Sequence, residues 1–567
     1  MTPAGVDLVS AAGVTGTAPV YLVTGQVDPA SGAVEGTVEA TLPVGAQTSR
    51  VHLRYFAGLP DFEAQAVVGP VTVDGEEVVS TQHDSIVTVP LAESHPDVVD
   101  LVVPFSYTVQ PSKAAGLFDA LAGLGGPADV GLLGRHEDVV NLGHWFPLWV
   151  PAGNNVDPDP AGYGDIGNFP AAMIRLELRV PDGWTVVDGG VRTDEDTTGS
   201  HLTITSEGYG MNDLAVTVVR GYTSRSRTLG GELGDVTVTA WGPDTAESEL
   251  DGVLDEAAAS LQTLSRAFVD YPWREFDVVA APLGSGVGGM EWPGATWIET
   301  GLFGGGLPGM AGLEEMLGDA EGFGSLLGED LGSLDTLGGV AGGEMGKMLE
   351  TQRLWTIAHE VGHEWWHVVV GNDSIRDPVV DEPLAQYSAC LVLRERMKAG
   401  AEDLCRAHIE SGYEQMRALG DQDGAVARAT DEFDSSGQYA GVVYGKAAAF
   451  YLALEERYGR DAVVDALGAV TEEHAFTMMS SADLRAALGE QLGRQIADSR
   501  FEGVWDRWME QTHGDADLGF DGAGGVGGNL EGLEGLDFDQ LLQGSGQGPE
   551  ELEKVLDQLL KELEKQS

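Results

Sequence analysis

The chain has 567 residues, with 91 Asp and Glu against 31 Lys and Arg, a formal net charge of −60 at pH 7 and an apolar content of 43%. That length allows more than one core, and the acidic excess argues against nucleic acid as a partner, because a polyanionic surface is repelled by phosphate backbones. The charge is expected to be a solvated surface suited to high salt, so stability should rise from low to molar KCl.

No apolar run reaches the roughly 20 residues needed to span a bilayer, so no membrane span is expected. The N-terminus also lacks a basic segment followed by an apolar one. The expected location is cytoplasmic by default, or secreted with a leader absent from this chain.

In chain order, residues 18 to 110 alternate apolar and polar side chains between Gly, Pro and Asp turns, as in YLVTGQV, VHLRYF and DLVVPFSYTV. This period of two predicts strands. Similar runs, MIRLELRVP, LTITS, DLAVTVVRG and DVTVTAWG, continue to about residue 240, so residues 1–240 are expected to form an N-terminal β-sandwich-like domain. The aromatic stretch at His144-Trp145-Phe146-Pro147 is expected at a strand edge, as core packing.

From about residue 246 the period becomes helical (ESELDGVLDEAAASLQTLSRAFVDY), followed by the strand FDVVAAPL and the segment Gly288-Gly289-Met290-Glu291-Trp292-Pro293-Gly294. Residues 301–348 are rich in Gly, Leu, Glu and Asp and predict an insertion with short, weak helices. Helices follow from 350 to about 515, in a catalytic unit over 241–400 and a helical part over 401–515. A Gly/Asp/Glu-rich tail over 516–567 ends in an amphipathic helix with Leu552, Val555, Leu556, Leu559, Leu560 and Leu563 on one stripe. The whole predicts a multidomain α+β fold. Cys390 and Cys405 are too few for a disulfide framework or a thiolate metal site, and are expected as buried thiols rather than as one bridge.

The most informative run is His359-Glu360-Val361-Gly362-His363, answered by Glu382 nineteen residues past the second histidine. Residues four apart lie on one helix face, so both imidazoles can converge on one ion while Glu360 points alongside toward a bound water. A carboxylate from a second helix completes three ligands and leaves a fourth position open, as catalytic zinc requires. Residues 353–370 are expected as one apolar helix stopped at Gly371-Asn372. Asp381 is expected to cap the next helix, with Glu382 in its first turn and Pro383 where a missing N–H costs little.

With those residues in view, HEVGHEWWHVVVGND followed by VVDEPLAQYSA resembles the gluzincin zinc metallopeptidases of the membrane alanyl aminopeptidase type, whose pattern is HExxH, eighteen residues, then Glu. GGMEWPG resembles the family's exopeptidase segment, and Tyr439 to Lys446 is similar to the segment bearing its catalytic tyrosine. The resemblance implies a thermolysin-like α/β catalytic domain and one Zn2+ held by His359, His363 and Glu382. It also implies Glu360 as general base and Tyr444 as donor to the oxyanion. Glu291 would bind the substrate's free amino group, with Gly288, Gly289 and Met290 lining the backbone path of a peptide substrate.

The chain departs from the family at Trp292, where Asn is usual, and at Pro383, where Gly is usual. Trp292 could narrow the pocket for the first side chain or simply pack. Asp381 could orient a ligand as well as cap. His367 is not expected as a fourth ligand, because Glu382 already completes the set. Endopeptidase action, hydrolysis of another substrate class and a non-catalytic peptide-binding role remain as alternatives to aminopeptidase action.

Overall fold

In the computed structural model the described residues are 18–112, 131–160, 164, 166–230, 236–284, 287–303, 334–496 and 500–520. Most of the expected insertion (304–333) and most of the tail with its terminal amphipathic helix (521–567) lie outside them. Among the described residues, no helix is long and apolar enough to cross a membrane.

The alternating N-terminal runs form a sheet-rich region. Val20–Asp28 pairs antiparallel with Ala33–Leu42 and parallel with Ala172–Pro181 in a nine-stranded sheet. Alternation decides its faces: Val34, Val38 and Leu42 are buried while Glu35 and Glu39 point away. One edge is Val191–Thr198, whose Asp194, Glu195 and Asp196 are exposed and discourage pairing with another chain. Two four-stranded sheets complete the region. Trp145 and Phe146 are core residues, with Trp145 against Phe105 and Phe146 against Tyr21.

A separate five-stranded sheet carries the site. Its strands are β1 (Tyr222–Leu229), β2 (Val236–Pro243), β3 (Glu275–Ala281), β4 (Gly289–Trp292) and β5 (Ala295–Glu299), in the order β1-β2-β3-β5-β4. The strands at 222–243, whose sequence continues the N-terminal β pattern, therefore hydrogen-bond into this five-stranded sheet. Helix α1 (Leu250–Ala267) connects the parallel pair β2 and β3 and buries Val253, Leu254, Leu261 and Leu264. Arg353, on helix α2 (Leu334–Gly362), reaches Glu256 of α1 at 2.8 Å in a buried pair.

Helix α3 (Glu382–Met397) packs along α2, and α4 (Ala401–Ala418) returns beside it. Beyond α4, Ala440–Lys446 is wound as a π-helix and continues as α5 (Ala447–Tyr458). Two expectations are corrected. The helix expected over 353–370 ends at Gly362 instead. Beyond it the amides of Val368, Val369 and Val370 bond five residues back, to His363, Glu364 and Trp365, and His367 takes a positive φ of 149°. The Val run favours extended backbone, and Val370–Gly371 forms a short strand with Thr477–Met478. Cys390 and Cys405, expected as thiols, form a disulfide, because the turn between α3 and α4 brings their Cα atoms within 5.1 Å across a separation of 15 residues.

Candidate active site

His359 sits in the last turn of α2 and His363 just past its end, where the His363 amide still bonds to the His359 carbonyl at 3.3 Å. The i, i+4 relation therefore survives the early end of the helix, and both rings lie on one face. Glu382 opens α3. Asp381 caps that helix: its Oδ1 accepts from the Glu382 amide at 2.6 Å, while its Oδ2 accepts from Asn372 Nδ2 at 2.6 Å and Ser374 Oγ at 2.7 Å. Pro383 occupies the first turn, where its missing N–H has no helical partner to lose.

These elements bring three buried ligand-type atoms together. His359 Nε2 and His363 Nε2 are 3.2 Å apart, and Glu382 Oε2 lies 3.3 and 3.4 Å from them. Tetrahedral zinc with ligands at about 2.0–2.2 Å sets neighbouring ligand atoms roughly 3.3 Å apart, so the triangle has the right edge. His363 Nδ1 donates to the Trp366 carbonyl at 3.1 Å, which leaves Nε2 with its lone pair toward the cluster. Among the described residues, buried Glu382 Oε2 has only the two imidazole nitrogens near it and no hydrogen bond of good geometry. A buried carboxylate oxygen without a donor costs several kcal/mol unless a cation takes it. The donor set thus fits one zinc ion.

Although burial opposes it, the neighbouring Glu291 and Glu382 push His363 up toward its charged form, so an ion bound there would have to displace a proton. His363 and His359 hold the Glu382 carboxyl well below the usual carboxylate range although burial opposes them. Burial lowers His359, toward the neutral form that a metal needs. Glu360 is pushed far up, first by burial and then by the neighbouring Glu291.

Glu360, Glu291 and His363 form a second buried group whose ligand-type atoms all lie within 4.8 Å of one another. Glu291 is on β4, at the edge of the five-stranded sheet, paired with Thr296 of β5. The Gly288–Gly294 segment is thus mostly strand, with Gly288 just ahead of it. A Cβ on Gly289 would fall 2.5 Å from Glu360 Oε1, so glycine lets the strand lie this close to α2. Met290 is partly buried on the opposite side of the strand.

Tyr444 comes from the π-helical turn. Its hydroxyl donates to Glu382 Oε1 at 2.5 Å, and burial, reinforced by Glu382, pushes its pKa far up, so it stays a proton donor. A π-turn displaces residues from ordinary helical register and recurs at functional sites. His367 lies outside the cluster: its Nδ1 is 3.9 Å from Asp381. Trp292 is buried against His144, at 5.0 Å between ring centroids, and Trp297, at 4.9 Å, so it packs between the sheet and the N-terminal region.

One contact carries no sequence signal. Glu364, directly after His363, is buried and accepts the Gly294 amide on both oxygens, at 3.1 and 3.3 Å. An acid in so acidic a chain does not stand out, and only a predicted β4–β5 turn at Pro293-Gly294 could have hinted that a partner was needed there.

Residues 346–508 match the family model of the Peptidase family M1 domain. Beyond that segment, the fold is similar to that of an M1 zinc metallopeptidase from Deinococcus radiodurans, solved as a glutamate-to-alanine variant, with 17% identity, a TM-score of 0.58 and coverage of 88% of this chain and 94% of that one. The same variant bound to a Tyr-Ser-Ala substrate is similar at 16% identity and TM-score 0.56, covering 87% and 94%. A two-domain M1 zinc metallopeptidase variant bound to L-tryptophan is similar at 16% identity and TM-score 0.57, covering 88% and 94%. No curated protein matches the chain significantly. Residues 346–508, which hold the zinc-fitting triangle, thus match the Peptidase family M1 domain, and the fold around them is similar to that of two-domain M1 zinc metallopeptidases.

Proposed function

We propose that the chain is a zinc-dependent aminopeptidase that releases residues one at a time from the free N-terminus of a peptide. The observation that carries this reading is the Glu291 carboxylate, buried on an edge strand within 4.8 Å of Glu360 and His363. A fixed carboxylate there pairs with the substrate's α-ammonium and measures off the first peptide bond. The substrate tripeptide and the free amino acid seen in the related structures are compatible with exopeptidase action.

His359, His363 and Glu382 would hold the ion. When bound, zinc supplies a Lewis acid that polarises the scissile carbonyl and makes water a nucleophile near neutral pH. The chain's own groups do the rest. β4 is the edge strand of its sheet, so a peptide can lie along its outer side as an added strand beside Gly289, while the Gly288 and Met290 carbonyls face β5, accepting from the Glu299 amide at 2.9 Å and Thr296 Oγ1 at 3.0 Å. Glu360 takes a proton at its carboxylate and passes it to the leaving amine, and its raised proton affinity, caused by burial and Glu291, suits holding that proton between the two events. The Tyr444 hydroxyl, a donor in this structure, turns from Glu382 to the carbonyl oxygen as negative charge develops there.

The test is a pair of fluorogenic substrates, aminoacyl and N-acetyl-aminoacyl, each assayed with and without a chelator. The reading expects chelator-sensitive cleavage of both substrates with a strong preference for the free amine, and in Glu291→Ala a preference reduced about 10- to 100-fold. Equal cleavage of both substrates by the unmodified protein would remove the aminopeptidase assignment.

A further inference from the structure

The hairpin that carries Glu291 is held at its turn from two sides. Trp292 and Ala295 close β4 and β5 around Pro293-Gly294, with Gly294 at a φ of +73°. On one side the Glu364 carboxylate receives the Gly294 amide on both oxygens. On the other the turn interlocks with the Gly189-Gly190 turn of the N-terminal region. A Cβ on Gly189 would lie 1.8 Å from the Pro293 oxygen, and one on Gly294 would lie 2.2 Å from the Gly189 oxygen. The Gly294 carbonyl also accepts the Asp277 amide of β3 at 3.0 Å.

We propose that Glu364, working against the Gly189 turn, is a positioning residue that sets the gap between Glu291 and the metal ligands and thereby the enzyme's selectivity for a free N-terminus. Glu364 is the neighbour of His363 in the chain, so a single peptide unit links a metal ligand to the anchor of the amine-binding strand. With the carboxylate removed, the buried Gly294 amide loses its partner and the turn must shift or admit water, either of which moves Glu291 two to three residues away. The metal ligands stay in place, because α2, α3 and the His363 bond to the Trp366 carbonyl do not involve the turn. A displaced ruler weakens capture of the α-ammonium more than it slows the chemical step. This inference rests on the aminopeptidase reading.

The test compares Glu364→Ala, Glu364→Gln and Gly189→Ala with the unmodified protein. It reads zinc per chain, kcat and KM on the paired aminoacyl and N-acetyl substrates, and affinity for free L-leucine by calorimetry. Glu364→Ala should keep its zinc, raise KM for the aminoacyl substrate and weaken L-leucine binding about 10-fold, and leave kcat/KM on the N-acetyl substrate within about 2-fold. Glu364→Gln, which still accepts through Oε1, should recover most of the loss. Gly189→Ala, which pushes the turn from the opposite side without touching α2, should move KM the same way. An unchanged aminoacyl-to-N-acetyl ratio in Glu364→Ala overturns the proposal, as does a loss that follows zinc content. Should Glu364→Ala not fold, an unchanged ratio in Gly189→Ala overturns it alone. Absence of any preference in the unmodified protein would sink the aminopeptidase reading itself, a separate result.

Discussion

The two walls of the proposed site, one holding the zinc-fitting triangle and one holding Glu291, are built by different means. The metal wall is local: His359 and His363 share one helix end, Glu382 opens the next helix, and the cap from Asp381 fixes its start, all within 24 residues. The substrate wall is assembled over long distances. The β4–β5 hairpin stands where it does because Gly289 fits under Glu360, Glu364 holds its turn, and a glycine turn more than 100 residues upstream fills the space behind it. A wall made of adjacent residues can hold its geometry through local bonds alone. A wall made by docking depends on two regions keeping their relative position, so changes there should alter selectivity before they alter chemistry.

Breaking the metal wall should cost most. Glu360→Gln should retain zinc and lose about 1,000-fold or more in kcat, measured by metal analysis and steady-state rates; substantial remaining turnover would take Glu360 out of the proton path. Next comes Tyr444→Phe, expected to lower kcat about 100-fold with little change in KM, since its hydrogen bond matters chiefly as charge develops. A rise in KM at constant kcat would move Tyr444 to the substrate wall. The smallest effect belongs to Asp277, whose amide supports the hairpin turn. Burial pushes its carboxyl up to about 8, opposed by a hydrogen bond from Trp241 Nε1 at 2.6 Å. A folded-state pKa above the unfolded one means stability that is complete below about pH 4 and is lost as pH rises through 8. Asp277→Asn should flatten that loss and raise the melting temperature by a few degrees at pH 8.5 relative to the parent, with no gain at pH 4. An identical pH profile in both proteins would show that the hairpin's support is electrically neutral.

The same division explains what could be seen in the sequence. The triangle was legible because four-residue spacing on a helix and a capped helix start are short-range signals. The strands of the N-terminal region were legible from their period of two. The end of α2 was not: Trp365, Trp366 and the three valines are as apolar in turns as in a helix, and what bends them is the short strand pairing with Thr477–Met478, about 100 residues away. The cysteine pair could be counted but not placed, since only the α3–α4 turn makes the two sulfurs meet. The sequence alone leaves Trp292 between lining a pocket and packing. Its place against His144 depends on Gly143, where a Cβ would lie 2.4 Å from the indole, a contact that no local pattern announces.

The Cys390–Cys405 bridge has a consequence outside the reaction. It lies in the helix pair whose first member begins with Glu382, so the redox state of the surroundings reaches a ligand-bearing element through a covalent bond. Glutathione-buffered cytosol keeps most thiols reduced, whereas exported proteins keep such bridges for life. Mass determined with and without reductant, on protein taken from its native cells, would therefore read the bridge as a label of the compartment in which the chain works.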